Sequence, residues 1–84
     1  MTIHKEETHV ARAWDGKLWH HRLYTTEAQA MDDARTFQDI YARDAAGNEI
    51  LPYMLIEVAS CQAGAEIVAQ WVGHPGGYRR VTGR

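Results

Sequence analysis

The sequence predicts an α+β fold: an antiparallel sheet of four to five strands, in the order β-β-α-β-β-β, with one amphipathic helix packed on one face. Three observations carry this expectation. Thr26 to Arg43 (TEAQAMDDARTFQDIYAR) is long and periodic enough for a helix, and Ala30, Ala34, Phe37 and Tyr41 recur as a single apolar stripe. Asp15-Gly16 lies between two β-rich runs, a strong hairpin signal because a type I′ turn needs positive φ at both central residues. Glu49 to Ser60 (EILPYMLIEVAS) carries alternating apolar residues, as a strand does. A helix with one stripe needs a sheet to bury it, and the sheet's other face is then left to solvent.

In chain order, Met1 to Glu7 is polar and expected to fray. Thr8 to Trp14 and Lys17 to Thr25 form the first hairpin. A two-residue Asp-Gly turn pairs Trp14 with Lys17, Arg12 with Trp19 and Val10 with His21. One hairpin face then carries Val10, Trp14, Trp19 and Leu23, and the other Ala11, Ala13, Leu18 and Tyr24. Both are half apolar, so alternation leaves the core face unassigned. Thr26 and Gln29 have capping-box spacing, Met31 and Ile40 border the stripe, and Asp32, Arg35, Thr36, Asp39 and Arg43 occupy the opposite side. Asp44 to Asn48 ends the helix, with Gly47 as the left-handed residue. Glu49 to Ser60 is the central strand, with Met54, Ile56 and Val58 toward the helix and Tyr53, Leu55 and Glu57 away from it. Cys61 to Ala65 turns into a strand at Glu66 to Val72; Gly73 to Gly77 turns again, and Tyr78 to Thr82 is a short last strand before Arg84.

The 84 residues make one domain, 1–84, whose core is a thin layer between helix and sheet. Hydrophobic residues at 45% and charged residues at 24% exclude global disorder. A net charge of −2, with Lys5 and Lys17 the only lysines, excludes the basic field typical of nucleic-acid binders. The single cysteine, Cys61, leaves no intrachain disulfide and suits a reducing compartment. The N-terminus lacks a signal-peptide pattern, and the longest apolar run, Pro52 to Ile56, is far short of a membrane span. The expectation is a soluble cytoplasmic protein with no membrane partner.

No catalytic residue, metal site or cofactor is expected, and the chain reads as a non-enzyme. Five histidines invite a metal hypothesis, but His9, His20 and His21 have no Cys or carboxylate at ligand spacing, so exposed strand histidines are the better account. Cys61 has no activating neighbour in sequence and reads as a small, partly buried apolar residue. Gly73 to Gly77 lacks the Lys-Ser/Thr of a phosphate loop and no helix follows it. Two surfaces remain as candidate contact sites. Glu27, Asp32, Asp33 and Asp39 make the helix surface acidic; the bland account is a solvated face, with Asp32 paired to Arg35 and Asp39 to Arg43. Trp19, Trp71, Tyr78, Arg79 and Arg80 fall on the sheet and tail, and a Trp/Tyr/Arg surface is what protein-binding hot spots use. Their bland account is completion of the core.

The hairpin running into a Thr-capped Ala-rich helix (YTTEAQAMDDARTF), the strand PYMLIEVAS and the closing GGYRRV together resemble the small anti-CRISPR proteins of phages and mobile elements, in particular inhibitors of type I surveillance complexes. The likeness covers most of the chain as architecture. It implies inhibition by occupation in a bacterial host cell: the protein sits on a Cascade-type ribonucleoprotein and blocks target DNA binding or nuclease recruitment. In similar proteins basic and aromatic residues make the contact, and the matching positions are Tyr78, Arg79 and Arg80. With few lysines and a negative net charge, contact with a basic protein subunit is favoured over contact with DNA, the acidic helix standing in for a row of phosphates. The alternatives are a direct nucleic-acid-binding accessory protein, and a dimerising antitoxin or phage accessory module that extends its sheet edge. The chain is a monomer or a homodimer on these readings.

Overall fold

A computed structural model describes residues 6–61 and 66–83. The chain runs β1 (His9–Trp14), β2 (Trp19–Tyr24), α1 (Glu27–Gln38), β3 (Ala42–Arg43), β4 (Glu49–Ile50), β5 (Leu55–Ser60), β6 (Ile67–His74) and β7 (Gly77–Gly83). Five strands form an antiparallel sheet in the order β2-β1-β5-β6-β7, β3 and β4 form a separate two-stranded ribbon, and α1 packs on β1 and β5. This is the expected α+β layer arrangement. Most of Met1 to Glu7, residues 62–65 of the expected turn and Arg84 lie outside the described residues. Among the described residues no helix is long and apolar enough to cross a membrane.

The first hairpin departs from the expected register. Trp14 pairs with Trp19, Arg12 with His21 and Val10 with Leu23, across a four-residue loop at 15–18. Asp15 closes that loop: its Oδ1 accepts the N–H groups of Lys17 (2.7 Å) and Leu18 (2.9 Å), and its backbone N–H donates to the Leu18 carbonyl (3.3 Å). An Asx-type turn therefore displaces the two-residue type I′ turn. The register differs by two residues, so every side chain keeps its expected face. The Ala11 and Ala13 face is the one that meets the helix.

The helix starts as expected and stops early. Thr26 is the N-cap, its hydroxyl accepting the Gln29 N–H at 3.2 Å. Gln29 does not reciprocate toward Thr26; its side-chain oxygen accepts from the Thr25 hydroxyl instead, at 3.0 Å. The helix ends at Gln38, not at Arg43. Thr36 to Tyr41 is poor in strong helix formers, and the next residues find better partners in the β3–β4 ribbon. There Asp44 Oδ1 accepts the N–H groups of Ala46 (3.0 Å) and Asn48 (2.9 Å), which holds its carboxyl below the usual range. Gly47 has φ +87°, left-handed as expected, but it shapes this ribbon's turn and does not cap the helix. Ile40 and Tyr41 consequently leave the stripe and are exposed.

Pro52 splits the expected strand Glu49 to Ser60 in two, since it has no N–H to give a central ladder. Met54 falls in the resulting loop and is exposed, not on the helix side. Tyr53 is likewise displaced: it turns back onto the core, stacking edge-on against Phe37 at 5.1 Å. Ile56 and Val58 do face the helix and are the largest fully buried side chains. Around them lie Ala11, Ala13, Ala30, Ala34, Ala69, Val68 and Trp71. The core is the expected thin layer, built mainly of alanine.

One helix, about 10 Å wide, spans roughly two strands spaced about 4.8 Å apart. The β6–β7 end of the helix-side face is covered by other means. Tyr53 N–H donates to the Tyr78 hydroxyl at 3.2 Å, and a Cβ at Gly73 would lie 2.9 Å from the Tyr53 carbonyl oxygen. Gly73 is thus a close-approach position, with no room for a side chain.

Two outcomes follow for stability. In urea unfolding, Ile56→Ala is expected to cost about 2–5 kcal/mol through its cavity, and Gly73→Ala about 1–3 kcal/mol through overpacking. The Asp15 carboxyl is pulled down to about 2, first by its hydrogen bond with His20 and then by the loop N–H groups. Its unfolded value is near ~3.9, so it favours the folded loop above that pH and the benefit fades as pH falls toward the folded value. An NMR titration should place the Asp15 midpoint near 2, and His20→Ala should move it up toward the ordinary range.

Candidate binding surface

The face of the sheet opposite α1 carries three rows of side chains, which the strand register lays across neighbouring strands. The first is Trp19–Trp14–Leu55–Val72–Arg79, spanning all five. The second is His21–Arg12–Glu57–Gln70–Thr82. The third is Leu23–Val10–Ala59–Ile67. A polar row therefore runs between two apolar ones.

Glu57 anchors the polar row. It is 3% exposed, although no helix covers this face. The Arg12 guanidinium forms an ion pair with its Oε1, and the Gln70 amide donates to its Oε2 at 2.9 Å. Both carboxylate oxygens are thus satisfied, which burial of a charge requires. Held by Glu57, Arg12 lies 5.2 Å from the Trp19 ring centroid, and Trp19 meets Trp14 at 5.4 Å. Trp19 remains 40% exposed, with exposed Leu23 and Val72 on the same face. Nothing in the sequence reading singled out Glu57. Its signal was a lone acid inside the apolar run LIEVAS, directly opposite an arginine on the neighbouring strand.

The sequence-predicted site residues separate. Trp19 and Arg79 lie on the open face. Trp71 is 9% exposed and belongs to the helix-side core, where Arg80 sits 5.6 Å above its ring. Tyr78 packs on that same side, and burial pushes its phenol up. The GGYRRV segment thus divides between the two faces. Of the acidic residues, Asp32, Asp33 and Asp39 line one hollow beside α1, but their partners differ. Glu27 sits exposed in the first turn, Asp32 pairs with Arg35 at 3.5 Å, and Asp39 is the C-cap. Asp33 turns toward β2: its Oδ2 is buried without a hydrogen-bond partner, and it reinforces the upward push that burial gives the Tyr24 phenol. The expected pairing of Asp39 with Arg43 is replaced by Arg43 with Glu49, at 3.4 Å across the ribbon.

Between α1 and β2 run two adjoining hollows. One, of about 460 Å³, is lined by Tyr24, Gln29, Asp32, Asp33, Arg35, Thr36 and Asp39. The other, of about 330 Å³, lies between His20, Arg22, Phe37, Ile40 and Tyr53. They exist because α1 lies chiefly over β1 and β5 and meets β2 only in part, leaving much of its helix-side face exposed. His9 and His20 share this side of the sheet at opposite ends of the hairpin, and His21 lies on the other. Among the described residues no group of three His, Cys, Asp or Glu side chains is placed to hold a metal ion. Cys61 is exposed, not partly buried, and its backbone N–H donates to the Thr8 carbonyl at the sheet end.

Comparison with protein-family models, with curated proteins and with solved structures returns no match.

The Arg12–Glu57 pair has a measurable signature. Arg12→Ala leaves Glu57 buried with Gln70 alone and is expected to cost about 2–4 kcal/mol in urea unfolding. Replacing both partners, as Arg12→Leu with Glu57→Leu, should recover most of that loss.

Proposed function

We propose that this protein is a non-enzymatic binding protein that acts by occupying its partner, with the open sheet face as the contact. The observation that carries this reading is the Arg12–Trp19–Trp14 cluster, fixed from beneath by buried Glu57 and flanked by exposed Leu23 and Val72. Tryptophan and arginine in an apolar setting supply most of the energy in protein interfaces, and a preorganised arginine loses little entropy on binding. The same cluster favours a protein over a nucleic-acid backbone, because the Arg12 charge is already neutralised by Glu57. The acids of α1 support a helix contact less well, since Asp32 is paired with Arg35, Asp39 caps the helix and Asp33 turns toward β2.

The partner class rests on the resemblance alone: a type I CRISPR surveillance complex of a bacterial host, held away from target DNA or its nuclease. The test is co-purification with such complexes and measurement of their DNA binding. Association with loss of DNA binding is expected. The double variant Trp19→Ala with Val72→Glu should weaken association at least about thirty-fold while circular dichroism stays unchanged. No association with any such complex would sink the inhibitor role. Association indifferent to the double variant would remove the sheet face from it, and a direct, steeply salt-dependent gel shift with free DNA would favour the nucleic-acid reading.

A further inference from the structure

The sheet has two edges, and they differ. β7 carries Arg79 and Arg80, begins at Gly77 and meets β6 through a register shift at Gln70/Trp71, devices that discourage a further strand. β2 is less guarded: Arg22 is its one arginine, its register with β1 is unbroken over all six residues, it has no proline, glycine or lysine, and it is exposed almost throughout.

The β1–β2 ladder decides which groups β2 offers outward. Asp15 N–H donates to the Leu18 carbonyl, so the ladder alternates from there: Ala13/His20, Ala11/Arg22 and His9/Tyr24 exchange hydrogen bonds, and Trp14/Trp19, Arg12/His21 and Val10/Leu23 do not. The backbone N–H and C=O of Trp19, His21 and Leu23 therefore point away from the sheet. An antiparallel partner can engage all three only if it is centred on His21.

We propose that β2 is the interface between two copies of this chain, paired antiparallel about a twofold axis at His21. In this register about six backbone hydrogen bonds form, and the side chains match: Trp19 of one copy meets Leu23 of the other, and Leu18 meets Tyr24. All four are apolar or aromatic, and Leu18 (54%) and Leu23 (51%) are among the most exposed apolar side chains described. Moving the centre by one residue destroys the match. Centred on His20, Trp19 faces His21 and Leu23 faces Lys17; centred on Arg22, two arginines oppose each other and Trp19 faces Thr25. Self-complementarity in a single register is what a twofold interface requires, and it selects a second copy over an arbitrary strand. His20 and Arg22 come opposite each other on the helix side, where Asp15 already holds His20 at 2.8 Å and Asp33 shares the hollow with both. α1 packs chiefly over β1 and β5 and only lightly against β2, which leaves the outer margin of β2 exposed to a second copy. A single strand edge with four apolar contacts per copy lies near the lower bound of about 1,000 Å² for specific interfaces, so dissociation in the micromolar range is expected.

The inference concerns the protein alone and does not depend on the inhibitor role. Sedimentation equilibrium from micromolar to millimolar chain concentration should show a shift from one-chain to two-chain mass. His21→Pro removes an N–H that β1 does not use, so it should spare the fold and weaken dimerisation about thirty-fold, the worth of two lost hydrogen bonds. Leu23→Lys should weaken it as well. In a mixture of labelled and unlabelled wild-type chains, filtered NOEs should connect Trp19 of one copy to Leu23 of the other, a readout that holds even where a variant unfolds. One-chain mass at millimolar concentration, a dimer that survives both substitutions, or intermolecular NOEs from β7 in place of β2 would overturn the proposal.

Discussion

Everything in this molecule follows from how closely one helix can lie on the sheet. Ala30 and Ala34 meet Ala11 and Ala13 in a layer whose largest fully buried side chains, among the described residues, are Ile56 and Val58. Small residues on both sides let the layers approach, which packs each of them well but buries little area per contact. A helix of 12 residues covers two strands well and reaches a third, β2, only in part. The remaining helix-side surface is closed at one end by Tyr53, Tyr78 and Trp71, and at the other it stays open over β2. The exposed edge, the hollows beside α1 and the uncovered opposite face are therefore consequences of one packing choice.

The uncovered face is not simply solvated. Without a second layer, an apolar sheet face this size would be a liability for aggregation. The polar row through Glu57 divides it into two narrower apolar strips. A buried ion pair adds little to stability compared with apolar residues of the same volume, but it fixes the side chains around it. Arg12 is tied to Glu57 beneath and lies beside Trp19, so the cluster is presented in one arrangement. That is the preorganisation a binding surface needs, obtained at a position where hydrophobic residues would have served the fold equally well.

Much of the fold was legible in the residues, for physical reasons that can be named. Thr26 marked the helix start because capping is local, and Ile56 and Val58 marked the core because strand alternation is local too. The hairpin faces came out correctly despite the wrong register, since a two-residue slip preserves facing. The errors fall where local preference met a competing partner. Asp15 could close either a two-residue or a four-residue loop, and its carboxylate chose the latter by accepting two N–H groups. The helical period continued through Tyr41, but the Asp44 turn drew Ala42 and Arg43 into a ribbon. Glu57, central to the open face, was hidden because its partners Arg12 and Gln70 are remote in sequence and adjacent only across three strands.

The two unfulfilled features of the molecule, a lightly guarded edge and a row of exposed apolar side chains, coincide on β2. That coincidence has a physical consequence for any partner on the open face. Trp19 and Leu23 are the last members of their rows, so pairing two β2 strands would join the row ending in Trp19 of one copy to the row ending in Leu23 of the other. Trp14, Trp19, Leu23 and Val10 would then form a continuous strip across the twofold axis, twice over. A partner engaging that strip would contact both copies at once, and its affinity would rise with dimer population through effective concentration, without any new kind of contact. The edge and the face are thus coupled through one strand: what β2 pairs with at its margin sets how much apolar surface the open face can present.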